Sequence, residues 1–292
     1  MLIKAITIAV LIAQPLVTYS IGIETGGPQL RALFRHRGLF WRYFCATFVV
    51  MPAIAIAMGL SGRFAQGVWV GLALMSIAPP APPATRRLRK AGNMSIGLAW
   101  QATAFLLAVA MIPLTIVVAQ RLGLVASGLN LSWGPLLSRS ALFFAGPMLL
   151  GLLTRRYLPA VANALVKPVS VAANVALVVL TVLVLIVAVP VIAHYDVLSI
   201  AVIVAFVAIA VLVGHLLGGP RRDTRITLVA MLAARFPLPA LILAQQNDKT
   251  KMILPVILVY IIAGVLLTPL YGRLTKRTSP SAPAAMTSST TP

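Results

Sequence analysis

The chain has 292 residues, 60% hydrophobic and only 10% charged, with a mean hydropathy of +1.01. A soluble domain is nearer half apolar and a quarter charged, so this composition excludes one and calls for membrane spans of about 20 apolar residues each. The 24 Lys and Arg face only 4 Asp and Glu, a formal charge of +20; because they cluster between apolar runs, they read as the positive-inside bias of a polytopic membrane protein and not as a nucleic-acid surface.

In chain order, nine apolar segments are expected: Ile3–Ile23, Leu39–Leu60, Gly67–Ala84, Met94–Ala119, Trp133–Leu153, Val169–Ala193, Leu198–Leu217, Ile226–Ala244 and Met252–Tyr271. The predicted class is an all-α polytopic membrane protein, one transporter domain over residues 1–277. The Ser, Thr, Pro and Ala tail, 278–292, reads as disordered. A signal peptide behind Lys4 competes for the first segment, but the run continues through Gln14 and Pro15 and no clean small-x-small cleavage site follows.

Basic residues alternate between loops. One side holds Arg31, Arg35, Arg37 and Arg42, then Arg86, Arg87, Arg89 and Lys90, then Arg155, Arg156 and Lys167, then Arg221, Arg222 and Arg225, and finally Arg273, Lys276 and Arg277. The other side holds Lys4, Arg63, Arg121, Lys249 and Lys251. This places the N-terminus outside and the C-terminus in the cytoplasm. The basic clusters also suit anionic lipid headgroups.

Catalytic and metal centres are not expected. His36, His194 and His215 are scattered, Cys45 is the lone cysteine, and Glu24, Asp196, Asp223 and Asp248 are the only acids. An enzyme acting on lipid-linked substrates needs paired acids or a His/Asp set, which argues against that reading.

The third segment ends in Pro79, Pro80, Pro82 and Pro83, too many prolines for a continuous helix. The eighth carries Arg235-Phe236-Pro237-Leu238-Pro239. Lying five segments apart, the two run in opposite directions. Paired breaks in equivalent places point to an inverted repeat with its site where they meet; two ordinary proline kinks are the plainer reading. Arg235 sits too deep to snorkel, and a charge there costs roughly 3 kcal/mol on insertion scales. Carbonyls freed by the prolines, or a bound anion, can accept from its guanidinium. Arg139, nearer an outer end, is expected to face headgroups. Gln14, Gln101, Thr103, Asn174 and the run Gln245-Gln246-Asn247 read first as helix-packing polar groups.

Met51-Pro52, the proline break and Arg89-Lys90-Ala91-Gly92-Asn93 follow one order, and in this the chain resembles the bile acid/sodium symporter family nearly throughout, to about Leu274. The resemblance implies two inverted five-helix repeats, here without the first helix, and two crossing broken helices. It also implies a core of segments two, three, four, seven, eight and nine, with a panel of one, five and six moving against it. Alignment on Ala91-Gly92-Asn93 places the family's sodium-binding Ser-Asn on Pro83 and Ala84, its Ser and Thr on Gly97 and Gln101, and its Glu and Gln on Arg235 and Pro239. Sodium is therefore doubtful, no other cofactor is implied, and the guanidinium stands where the cation would.

The expected function is a secondary transporter in a bacterial-type inner membrane, moving a small organic anion by alternating access. Its expected substrate-binding residues are Arg235, Gln101, Pro79, Pro80, Pro83, Phe236, Pro237 and Pro239. A non-transporting sensor or scaffold on the same fold is the alternative, and oligomeric state is left open.

Overall fold

Prolines set many of the helix boundaries. The computed structural model describes residues 2–81, 84, 92–122, 138, 141–192, 195–237, 240–241 and 250–277. Pro83, Pro239, Arg139, Gln245, Gln246, Asn247, the basic loop at residues 85–91 and the tail at 278–292 lie outside the described residues.

Helix α1 (Leu2–Glu24) turns at Thr25-Gly26 into α2 (Gly27–Arg35), bent 78° away. Helix α3 (Arg37–Phe44) runs through a π turn, Cys45–Val50, into α4 (Met51–Leu60). Pro52 cannot donate to the preceding turn, and the wider π turn absorbs the fault: Met51 N–H bonds to Ala46 O, five residues back. A second π turn, Ala141–Ala145, leads into α7 (Gly146–Tyr157) with Pro147 in the same relative place. Between them lie α5 (Gln66–Ile77) and α6 (Met94–Arg121); after them come α8 (Pro159–Ile192), α9 (Val197–Leu217), α10 (Arg222–Ala233) and α11 (Thr250–Arg277).

Every predicted segment contains a helix, but the boundaries differ. Among the described residues five helices are long and apolar enough to cross a bilayer, or six if the bent pair is one span. The third and eighth segments yield helices of only 12 residues, because each stops at its break. The fifth is described only from residue 141. Helix α8 starts ten residues before the predicted Val169, with Pro159 as its first residue, where a missing N–H costs nothing. The stretch read as a loop after the first segment is the amphipathic α2, with Leu33 buried and Arg31 and Arg35 exposed.

Exposure is inverted relative to a soluble protein. On α8, Val171, Val175, Val178, Val182 and Ile186 form an exposed apolar stripe at helical spacing, a face suited to lipid chains. Packing falls into two groups. Helix α1 lies against α7 and α8, while α9 packs on α10 and α11, and α5 on α4 and α11. In the first group the backbones nearly touch: a Cβ on Gly22 would lie 2.5 Å from Met148 O, and one on Gly151 2.6 Å from Tyr19 O.

Asn93 ties α6 to α10. Its Oδ1 accepts from Ile96 N (3.1 Å) as N-cap, its Nδ2 donates to Asp223 Oδ2 (3.2 Å), and its backbone N–H donates to Thr227 Oγ1 (2.8 Å). Asn93→Ala is expected to cost about 1–2 kcal/mol, mostly as a lost cap. Thermal unfolding in detergent reads this directly.

Candidate functional site

The two breaks cross and pair. Ala81 N–H donates to Ala234 O and Phe236 N–H donates to Pro79 O, both at 2.8 Å, around an antiparallel bridge of Pro80 with Arg235. Pro80 and Arg235 occupy the non-hydrogen-bonded position of this bridge. The absent proline N–H is therefore never needed, and the flanking residues make both bonds. The two bonds are related by a local two-fold axis through the Pro80–Arg235 pair.

Helices α5 and α10 both end here, so their last carbonyls lack intrahelical partners and each end carries about −0.5 of an elementary charge. Arg235, only 1% exposed, meets both ends. Its Nη1 donates to Ala78 O (2.8 Å) and its Nε to Leu232 O (3.2 Å). The guanidinium charge balances the two helix dipoles, and the carbonyls freed by the breaks accept from it. Among the described residues no carboxylate takes part. Gln101 Nε2 donates to Pro80 O at 3.1 Å, and Tyr260 Oη donates to Leu232 O at 2.9 Å.

Two polar atoms remain over. Arg235 Nη2 and Gln101 Oε1 are buried with no hydrogen-bond partner among the described residues. Arg235, though not Gln101, also lines a cavity of about 240 Å³ between the crossing and two helices. Ala81, Arg235, Phe236 and Pro237 line one wall, Leu177, Leu180 and Thr181 of α8 another, and Ile257 and Ile261 of α11 a third. Apart from Arg235 and Thr181 these walls are apolar side chains.

Of the predicted site residues, Pro79, Pro80, Gln101, Arg235, Phe236 and Pro237 converge on the crossing. Phe236 packs on Phe105, with ring centroids 5.5 Å apart. Tyr260 and Thr181 were not anticipated, since a Tyr or Thr in an apolar run carries no signal that it faces a break in another helix. Gln14 is fully buried within α1, donating to Thr18 Oγ1 at 3.5 Å, far from the crossing in sequence and in packing. A second cavity, about 700 Å³, opens between α6 and the α1–α7–α8 group. Glu24, Arg155, Asn163, Lys167, Ser170 and Asn174 line it, and the Glu24 carboxylate accepts from Ser20 and Ser170.

Tyr260→Phe removes one of the two donors to Leu232 O. The expected cost is about 1 kcal/mol, because Arg235 Nε still serves that carbonyl; a loss above about 3 kcal/mol in a chemical-denaturation series would show the tyrosine, not the guanidinium, to be the main support.

A family model described as the Sodium Bile acid symporter family matches residues 11–195, more than half of the chain. The matched region includes Pro79, Pro80 and Gln101 and ends before Arg235. No curated protein matches the chain.

Proposed function

From the premise that the chain belongs to the sodium bile acid symporter family, and so is an integral membrane transporter, we propose that it moves a small organic anion without the family's sodium ion. The observation that carries this is the buried Arg235 guanidinium, which holds the carbonyls of both broken helices while Arg235 lines an apolar cavity. A sodium ion needs several free oxygen ligands. At this crossing the Ala78 and Leu232 oxygens already accept from a fixed cation, so the described residues do not fit one. An anion with an apolar body suits the cavity: its charge meets Arg235, and its body meets Leu177, Leu180 and Ile257.

The wider architecture of this reading has about nine spans arranged as an inverted repeat. The local two-fold axis of the bridge supports that symmetry. The α1–α7–α8 group is the panel and the rest the core, and the 240 Å³ cavity lies on the seam between them. Alternating access is motion of the one group against the other, opening that seam to either side. The basic loops face the cytoplasm in an inner membrane, with the N-terminus outside.

The test is uptake of a panel of radiolabelled organic anions into proteoliposomes, with and without a sodium gradient. Uptake is expected to be unchanged when potassium replaces sodium. Sodium-stimulated uptake would place a cation site elsewhere and overturn the proposal. A panel in which nothing binds or moves would favour a non-transporting sensor.

A further inference from the structure

A third cavity, of about 500 Å³, lies at the end of the bundle where α3 and α10 begin. Arg35, His36, Arg37, Arg42 and Arg221 line it, all exposed, and no carboxylate appears among its described lining residues. Two helix N-termini form part of its wall, and neither has a side-chain cap: His36 precedes α3 and Arg221 precedes α10. Their first-turn N–H groups and positive dipole ends add to four guanidinium charges.

The chain has only 4 acids, and those the structure describes are placed as follows. Glu24 lines a different cavity, where it accepts from Ser20 and Ser170. Asp196 caps α9 at the end remote from residues 219–221. Asp223, in the first turn of α10, accepts from Asn93 and sets one negative charge against the four guanidiniums; Asp248 lies outside the described residues. Among the described residues most of this charge has no carboxylate to balance it, which leaves the rest to an external anion.

The surroundings indicate its source. The cavity sits where one helix long and apolar enough to cross a bilayer starts, at Arg37, and just beyond where another ends, at Leu217. The exposed rings of Phe34 and Trp41 flank its arginines in sequence and both pack on Phe40, with centroids 5.3 and 5.4 Å away. Aromatic rings at a membrane interface with arginines beside them are the arrangement that holds an anionic lipid.

We propose that this cavity binds the phosphate diester headgroup of an anionic phospholipid, held by Arg35, Arg37, Arg42 and Arg221 with the N-termini of α3 and α10. The acyl chains lie outward along the bilayer face of the bundle. The site is separate from the transport cavity, so its occupancy does not depend on the substrate assignment.

The test is native mass spectrometry of the purified full-length chain with phosphatidylglycerol or phosphatidylcholine, beside an arm with inorganic phosphate alone. Wild type is expected to retain phosphatidylglycerol preferentially, and Arg37→Gln/Arg221→Gln to lose that retention by roughly 30-fold. The control Arg63→Gln/Arg121→Gln removes equal charge from the opposite loops and is expected to retain it. Equal loss in both double variants, or no loss in either, overturns the site. So does inorganic phosphate that displaces the lipid at millimolar concentration, which would mark a site for free phosphate. If the cavity variant fails to fold, salt titration of wild type decides: preference for phosphatidylglycerol must fall steeply with sodium chloride, and a salt-independent preference overturns the proposal.

Discussion

Arg235→Ala is expected to cost about 3–5 kcal/mol of stability and to abolish anion uptake. The estimate comes from what the truncation leaves behind. Ala78 O loses its partner outright, and Leu232 O keeps only Tyr260. A buried carbonyl stripped of its donor costs about 1–3 kcal/mol. The void left by a fully buried guanidinium adds to this, and two helix ends then face each other with their negative dipole ends uncompensated. Arg235→Lys keeps the charge but not the fork; one ammonium cannot reproduce the separate Nε and Nη1 bonds, so only part of the stability should return. Thermal unfolding in detergent together with uptake in proteoliposomes tests both variants. If alanine unfolds within 0.5 kcal/mol of wild type, roughly the size of a neutral surface change, the guanidinium does not hold the crossing. If it folds well and transports normally, the anion assignment fails separately.

The other large effect is expected at a position with no side chain. Gly264 of α11 faces the end of α10, and a Cβ there would lie 2.2 Å from Ala233 O. Ala233 is the last helical residue before the break, so α11 would have to move away from it. Tyr260 is one turn earlier on the same helix and would be carried off Leu232 O with it. Gly264→Ala is expected to cost about 2–4 kcal/mol, above the usual range for overpacking because the opposing atom is backbone. Gly264→Leu should yield little folded protein by size-exclusion chromatography. Gly272, two turns further along α11, meets nothing within 4 Å. Gly272→Ala should be neutral or stabilising by about 0.5–1 kcal/mol through helix propensity. Comparable losses at both glycines would assign the Gly264 effect to general helix behaviour and not to the crossing.

The two predictions share one cause. The proline breaks leave helix ends with open carbonyls inside an apolar bundle, where water cannot satisfy them. Here one guanidinium, one glutamine amide and one tyrosine hydroxyl take that role. A mobile cation at such a site binds and leaves, whereas an arginine is held covalently. In the proposed function, this permanence uncouples the crossing from sodium.

What the sequence determined by itself is the environment and the outline. An apolar composition with 10% charge leaves no way to fold in water as one small domain, and each run of spanning length holds a helix, though boundaries shift by up to about ten residues. Proline at four of five positions, 79, 80, 82 and 83, marks a break for a local steric reason that no tertiary context can remove. A charge in the middle of the eighth segment announces a partner for an equally local reason, the cost of burying it alone. Which partner was a tertiary matter. The pairing of Arg235 with Ala78 O joins residues 157 apart in the chain, and Gln101 with Pro80 depends on the angle at which α6 passes the break. Tyr260 and Gly264 carried no signal, because a hydroxyl or a missing Cβ on an apolar helix has meaning only opposite a particular carbonyl. The helix α2 was missed because nine residues are too short for a span, and it is stable only where its Leu33 face finds α6. Local sterics and burial costs are written into neighbouring residues; the choice of which distant group satisfies which open carbonyl is made only when the helices pack.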